Sequence, residues 1–246
     1  MFIETIILIL IIPLVALQSI MGVGVLVLGT PILLLLNVSL IDTIAFLLPI
    51  SIATSFLNIL ITKIQRRTFY NQERFKKFFI MCLPSVFIGL LILKYFNEII
   101  NFDYLVSLII IFTVIFKNYI SKKIKTLKKK LNNLALIIIG IVHGITNSGG
   151  TLLSIFLVNI YSAKSDIRSE TNLFYFSLAL AQFFLFCMIF GYEQNINEPF
   201  LIAILTFTGV LLGNLLIKII NEEMFKKTVY SLALIAAVSL IIKNIF

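Results

Sequence analysis

The chain of 246 residues is 60% hydrophobic and 13% charged, with a mean hydropathy of +1.10, against roughly 45–50% apolar and about 25% charged in soluble domains. Several apolar runs of about 18 or more residues are each long enough to cross a hydrocarbon core of roughly 30 Å as a helix, so the expected fold is an all-α, polytopic integral membrane protein, and soluble enzymes, nucleic-acid binders and outer-membrane barrels are excluded. The net charge of +9 does not restore nucleic acid as a partner, because thirteen of the twenty Lys and Arg residues fall in two short loops between apolar runs.

In chain order, Met1-Phe2-Ile3-Glu4 lacks the positive region of a signal peptide, so the first segment is expected to be retained. The apolar stretch Thr5 to Leu36 is longer than one crossing requires and too short for two. It is expected to break, and Gly22, Gly24 and Gly29-Thr30-Pro31 supply the breakers. A crossing at Thr43 to Thr62 follows, then a basic loop with Lys63, Arg66, Arg67, Arg74, Lys76 and Lys77, then segments near Phe78 to Leu93 and Tyr104 to Phe116. A second basic stretch holds Lys117, Lys122, Lys123, Lys125, Lys128, Lys129 and Lys130. Beyond it the pattern restarts: Leu134 to Tyr161 is again overlong, interrupted at Asn147-Ser148-Gly149-Gly150, and segments at Thr171 to Phe190, Phe200 to Ile220 and Val229 to Ile242 complete the chain.

Each half thus reads as one broken stretch plus three ordinary crossings, about eight hydrophobic segments in all. Lining up the halves puts Asp42-Thr43 on Glu170-Thr171 and, with a two-residue insertion, Gly24 on Gly150. The division is a first repeat over 1–116, a basic cytoplasmic linker over 117–132 and a second repeat over 133–246. Loop charges select the topology. If each broken stretch crossed once, the loop Tyr192 to Glu198, which has no Lys or Arg, would be cytoplasmic, and Lys218, Lys226 and Lys227 would be outside, against the positive-inside rule. If both stretches are re-entrant hairpins, every loop falls where its charge predicts, with the N-terminus outside and the halves inverted relative to each other. The Lys-rich linker then fixes orientation and lies where anionic membrane lipid can meet it. Cys82 and Cys187 sit inside apolar segments, where cysteine behaves as a small hydrophobe, and they give neither a disulfide nor metal-ligand spacing.

Non-helical backbone inside a bilayer must be buried in protein or line a watery cavity, which makes the two breaks the first places to seek a site. A helix that starts within the membrane presents unpaired amides and a partial positive charge, so two such starts form a cradle for an anion. In the first half the candidate residues are Gly22, Gly24 and Thr30. In the second they are Thr146, Asn147, Ser148, Gly149, Gly150, Thr151 and Ser154, where hydroxyl and amide donors accompany glycines that allow close approach. Small residues also serve simply to pack membrane helices. His143, the only histidine, precedes the second break by one turn and is a candidate for substrate contact or proton exchange. Gln18 stands at a comparable distance before the first break, and Gln182 aligns with Thr54. With Ser51, Ser55, Asn58 and Asn172 these are candidate polar linings, and Lys164 and Arg168 either draw an anion into a cytoplasmic vestibule or, the better reading, belong to a plain cytoplasmic loop. No carboxylate lies deep in a crossing, which leaves a carboxylate proton relay without support. No metal site, cofactor motif, His-Glu-x-x-His, Walker loop or Gly-x-Ser-x-Gly elbow is present.

Two residue strings carry a family resemblance. Gly22-Val23-Gly24 followed by Thr30-Pro31, and Gly140-Ile141-Val142-His143-Gly144-Ile145-Thr146-Asn147-Ser148-Gly149-Gly150-Thr151-Leu152-Leu153, resemble the sulfite exporter TauE/SafE family, also called the toluene sulfonate uptake permease family. The resemblance in layout covers nearly the whole chain. It implies transport of small anions, many containing sulfur. Family members often carry a denser glycine run where this chain has Met21-Gly22-Val23-Gly24-Val25, which moves weight to the second half. The expected function is a secondary transporter in the cytoplasmic membrane, not an enzyme and without a cofactor, that moves a sulfur oxyanion, an organosulfonate or another small organic acid by alternating access. An anion channel and a membrane-embedded enzyme or assembly factor are the alternatives. Substrate identity, direction, a proton or sodium coupling ion and the oligomeric state are not set by the sequence.

Overall fold

The structure, a computed structural model, describes residues 2–64, 70–115, 129–158, 160, 164–191, 198–219, 223, 231, 234–235 and 237–243. Among the described residues every regular element is helical: α1 (Phe2–Met21), α2 (Val25–Leu35), α3 (Leu40–Ile64), α4 (Gln72–Phe96), α5 (Phe102–Ile115), α6 (Lys129–Thr146), α7 (Gly150–Val158), α8 (Lys164–Phe190) and α9 (Pro199–Leu216). Residues 237–243 are helical as well. Helices over Leu40–Ile64, Gln72–Phe96, Asp166–Phe190 and Pro199–Leu216 are long and apolar enough to cross a membrane. α5 has 14 residues, a length of about 21 Å, shorter than a hydrocarbon core. α6 opens at Lys129, so the last residues of the expected linker are already helical, and residues 116–128 lie outside the described residues.

Both overlong stretches break and fold back. A Cβ added to Gly24 would meet the main chain of Leu17 and Gln18, and one added to Gly29 would meet Leu14. Rising numbers on α2 therefore meet falling numbers on α1, and the two limbs are antiparallel. In the second stretch a Cβ on Gly149 would lie 2.7 Å from the Ile139 carbonyl oxygen. Ten further residues of straight helix would have carried the chain about 15 Å away. The limbs are unequal: α1 and α6 have 20 and 18 residues, whereas α2 and α7 have 11 and 9, so each hairpin is a long helix followed by a half-length return.

The helices pack in crossed pairs. Gly209 and Gly213 of α9 lie against Val15 and Ser19 of α1, and Gly140 and Gly144 of α6 lie against Cys82 and Val86 of α4. In both pairs higher numbers meet higher numbers, so the helices run parallel, each broken stretch packing on a crossing from the other half. Contact is through glycine, which lets backbones approach closely where no hydrophobic drive exists between helices. α3 and α8 pack together, with Phe56 and Phe176 rings 6.1 Å apart. Exchanging α1 to α4 for α6 to α9 turns the α1–α9 pairing into α6–α4 and maps α3–α8 onto itself. Phe79, Phe87, Phe200, Phe207 and Ile219 are exposed on the outside, the surface a bilayer covers. At one end of the bundle, Asn71 caps α4 by accepting from the Arg74 amide at 2.9 Å, while Glu170 of α8 accepts from the Asn71 amide at 3.2 Å and pairs with Arg74 at 3.0 Å. Glu170 is fully buried, yet it lies in the second turn of α8 and is engaged there.

Candidate functional site

α1 ends at Met21 and Gly22 turns the chain with φ +82, a left-handed angle that also leaves no room for a side chain, since a Cβ would lie 2.7 Å from Thr171 Cγ2. α2 then starts at Val25, whose amide, one of those a helix start leaves without an intrahelical partner, donates to Gln18 Oε1 at 3.1 Å. The other end of the same amide group, Gln18 Nε2, donates to the Ser51 carbonyl at 3.0 Å, to Ser51 Oγ at 3.1 Å and to Ser55 Oγ at 3.0 Å. Gln18 therefore closes the first helix start from inside the protein, and Ser51 and Ser55 hold it there.

The second break is built differently. Asn147 has φ +60, in the left-handed region that asparagine tolerates better than most residues, and its amide donates to the His143 carbonyl at 2.8 Å. Its side-chain Nδ2 donates to Thr30 Oγ1 at 3.2 Å, joining the second break to α2. The hydroxyls around it serve the turn: Thr146 donates to the Val142 carbonyl, Ser148 to the Thr146 carbonyl and Thr151 to the Ser148 carbonyl. Asn147 Oδ1 and Ser154 Oγ are buried with no hydrogen-bond partner.

α8 forms the wall between the breaks. Asn172, Tyr175 and Gln182, at spacings of three and seven, share one helix face, and all are fully buried. Asn172 lies beside Gly22, its main-chain nitrogen 3.6 Å from an added Cβ there. The Tyr175 ring covers Gly150, whose added Cβ would stand 2.6 Å from Cε2 and 3.1 Å from the hydroxyl, and it meets the His143 ring edge-on with centroids 6.0 Å apart. Its hydroxyl faces the main chain of Leu26 in the first turn of α2 without closing a hydrogen bond of ordinary geometry. One tyrosine thus reaches both half-helix starts. Gln182 Nε2 donates to the His143 carbonyl at 3.2 Å. Both ring nitrogens of His143, both polar atoms of Asn172, the Tyr175 hydroxyl and Gln182 Oε1 are buried without partners. Buried polar atoms are rarely left this way, and a cluster of them calls for an explanation.

The expected residues therefore separate into two groups. Gly22, Gly24 and Gln18 shape and close the first break, and Thr146, Ser148, Gly149 and Thr151 shape the second. Gly150 and His143 meet Tyr175 of α8, and Gln182 of α8 bonds the His143 carbonyl; Asn147 is tied to Thr30, and Ser154 stands one turn after Gly150 in α7. Tyr175 is the residue that reading from the breaks missed; its spacing from Asn172 and Gln182 was the available signal. Arg168, read as a loop residue, lies within α8, where Nε donates to the Ser19 carbonyl at 2.9 Å and Nη2 to Asn214 Oδ1 at 2.6 Å and Asn58 Oδ1 at 3.4 Å.

Fold and site together define a multi-pass helical membrane protein in which two half-helices start inside the bundle against a polar helix face. The chain belongs to the sulfite exporter TauE/SafE family, whose model matches residues 6–240. No curated protein and no solved structure matches it. Membership in a transporter family fits a small anionic substrate and membrane embedding.

Proposed function

We propose that the protein is a secondary transporter of a small sulfur-containing oxyanion or organosulfonate in the cytoplasmic membrane, with the substrate held between the second break and α8. The supporting observation is the set of partnerless buried polar atoms on His143, Asn147, Ser154, Asn172, Tyr175 and Gln182 along α8 and the second break in a chain of this family. The amides at the start of α7 and the hydroxyls of Tyr175 and Ser154 supply donors to the anion, while Gly150 lets the Tyr175 ring and its hydroxyl lie against the start of α7. The first break contributes less, because Gln18 already occupies the first amide of α2. The crossed pairing of α1 with α9 and of α4 with α6 supports an inverted duplication of 1–116 and 133–246, and access alternates as one half moves against the other.

The experiment is counterflow of labelled anion in proteoliposomes of purified protein, challenged with sulfite, sulfoacetate, taurine and simple carboxylates. Saturable counterflow with the sulfur anions is the expected result. Flux that stays linear with concentration, or no flux from folded protein, overturns the proposal.

A further inference from the structure

Resting on that reading of the site, we propose that one proton travels with the anion, carried on the His143 imidazole, and that the side-chain carbonyls of Gln182 and Asn147 receive the charged ring. The His143 carbonyl accepts from Gln182 Nε2 at 3.2 Å, which fastens that side-chain amide beside it, and from the Asn147 main-chain amide at 2.8 Å, while the Asn147 side chain is held one turn on by its bond to Thr30. A carbonyl only accepts, so Nε2 must be the end of Gln182 that faces it, and Oε1 is the end left over. Oε1 of Gln182 and Oδ1 of Asn147 both lack partners, as do both ring nitrogens of His143.

Amide oxygens carry partial negative charge and repel an anion. A site that held the anion alone would leave these two buried oxygens without a donor from the protein, and an unpaired buried acceptor is costly. A neutral imidazole offers one N–H donor, and a protonated one offers two. The added proton therefore supplies the donor that the two oxygens and the anion together lack. It also lowers the charge that must cross, and in a low-dielectric site a positive ring beside the anion is strongly favoured.

No fixed charge competes at this position among the described residues. From α8 the facing titratable group is Tyr175; the charged residues of that helix, Lys164, Asp166, Arg168 and Glu170, fall in its first two turns, with Glu170 on Arg74 and Arg168 on Ser19, Asn58 and Asn214. α4 meets α6 through Cys82, Val86 and Gly89, and on α5 Asp103 and Tyr104 stand in the first turn. α7 brings no titratable side chain.

The test uses proteoliposomes loaded with a pH indicator, with the voltage clamped by potassium and valinomycin, and follows labelled sulfoacetate and internal pH together. Sulfoacetate is fully ionised near neutral pH, so it carries no proton of its own. The expected result is about one proton per sulfoacetate in the native protein, a ratio near zero in His143→Gln whatever its rate, and a transport rate that falls as pH rises. In Gln182→Leu the loss of one acceptor makes the ring harder to protonate, and the midpoint of that fall should move down by about one pH unit, a tenfold change in proton affinity. Sulfoacetate flux without proton movement in the native protein overturns the inference and leaves the transporter reading intact, as does flux driven by sodium alone. An undiminished ratio in His143→Gln, or an unmoved midpoint in Gln182→Leu where the histidine variant is inactive, overturns it too. Absence of any flux overturns both.

Discussion

Asn147 in the second break gives its side-chain amide to the hydroxyl of Thr30 in α2 at 3.2 Å, across 117 residues of sequence. Both residues are fully buried, and the contact ties the turn of one hairpin to the returning limb of the other. Asn147 holds a left-handed angle as well, so a single residue carries both the backbone turn and the link.

That double role separates in a substitution series. Thr30→Val keeps the shape and removes the acceptor, at a cost of about 1 kcal/mol by the scale of hydrogen bonds between membrane helices. Asn147→Gly keeps the turn and loses the link, and should cost a similar amount. Asn147→Ala loses the link and strains the turn, adding about 1 kcal/mol. Thermal midpoints in detergent should therefore rank native first, then Thr30→Val with Asn147→Gly, then Asn147→Ala; equal midpoints for Asn147→Gly and Asn147→Ala would remove the backbone argument.

Gly150 and Tyr175 make a second pair. An alanine at 150 would place its Cβ 2.6 Å from the Tyr175 ring, so Gly150→Ala should cut counterflow at least tenfold and Gly150→Leu should abolish it, both with normal expression. Tyr175→Phe keeps the ring in the same place and cannot relieve the clash. Tyr175→Leu vacates the ring edge, and the double variant Gly150→Ala with Tyr175→Leu should recover stability lost in Gly150→Ala. Additive loss in that double variant would show that the ring is not what excludes a side chain at 150.

The helices, both breaks and their fold-back were legible because bilayer length, glycine placement and loop charge all bear on them directly. His143, Asn147, Gln182 and Asn172 stood out as polar residues in apolar runs. Tyr175 did not, since in Leu173-Phe174-Tyr175-Phe176 a tyrosine reads as one more packing aromatic; its spacing from Asn172 and Gln182 marks the face it shares, but not the approach of Gly150 to its hydroxyl. Gln18 was visible but its part was not: sequence places it like a site residue, whereas Ser51 and Ser55 turn it into a cap. Residues 192–197, which the loop charges place outside, and most of the basic linker are not among the described residues.

Gln18 should accordingly be a stability residue. Gln18→Leu leaves the Val25 amide without its acceptor and removes the donor that reaches Ser51 and Ser55, a loss of about 2–4 kcal/mol when buried groups are left unpaired. Expression and thermal midpoint should fall sharply. Gln18→Glu retains an acceptor for Val25 and should fall less at low pH, where a protonated carboxyl can still donate to Ser51. A Gln18→Leu protein of native stability but no transport would instead make Gln18 a substrate contact.

Arg168 poses the same question one residue further along the same end of α1. Its guanidinium reaches the Ser19 carbonyl, Asn58 and Asn214, and Asn214 Nδ2 donates to Asn58 Oδ1 at 2.9 Å while Asn58 Nδ2 donates to Ser19 Oγ at 3.1 Å. Four helices, α1, α3, α8 and α9, meet in this network, which crosses between the halves. The planar fork of arginine can serve acceptors in several directions at once, and a lysine ammonium on a flexible stem is a poorer substitute. Arg168→Lys should lower the thermal midpoint by a few degrees, since about 1 kcal/mol corresponds to roughly 2–4 °C in a chain of this size. Asn214→Ala should do the same, and the pair should lose less than the sum because both act through one network. Strict additivity would mean that Arg168 and Asn214 stabilise the bundle independently, and the 2.6 Å contact between them would then contribute nothing of its own.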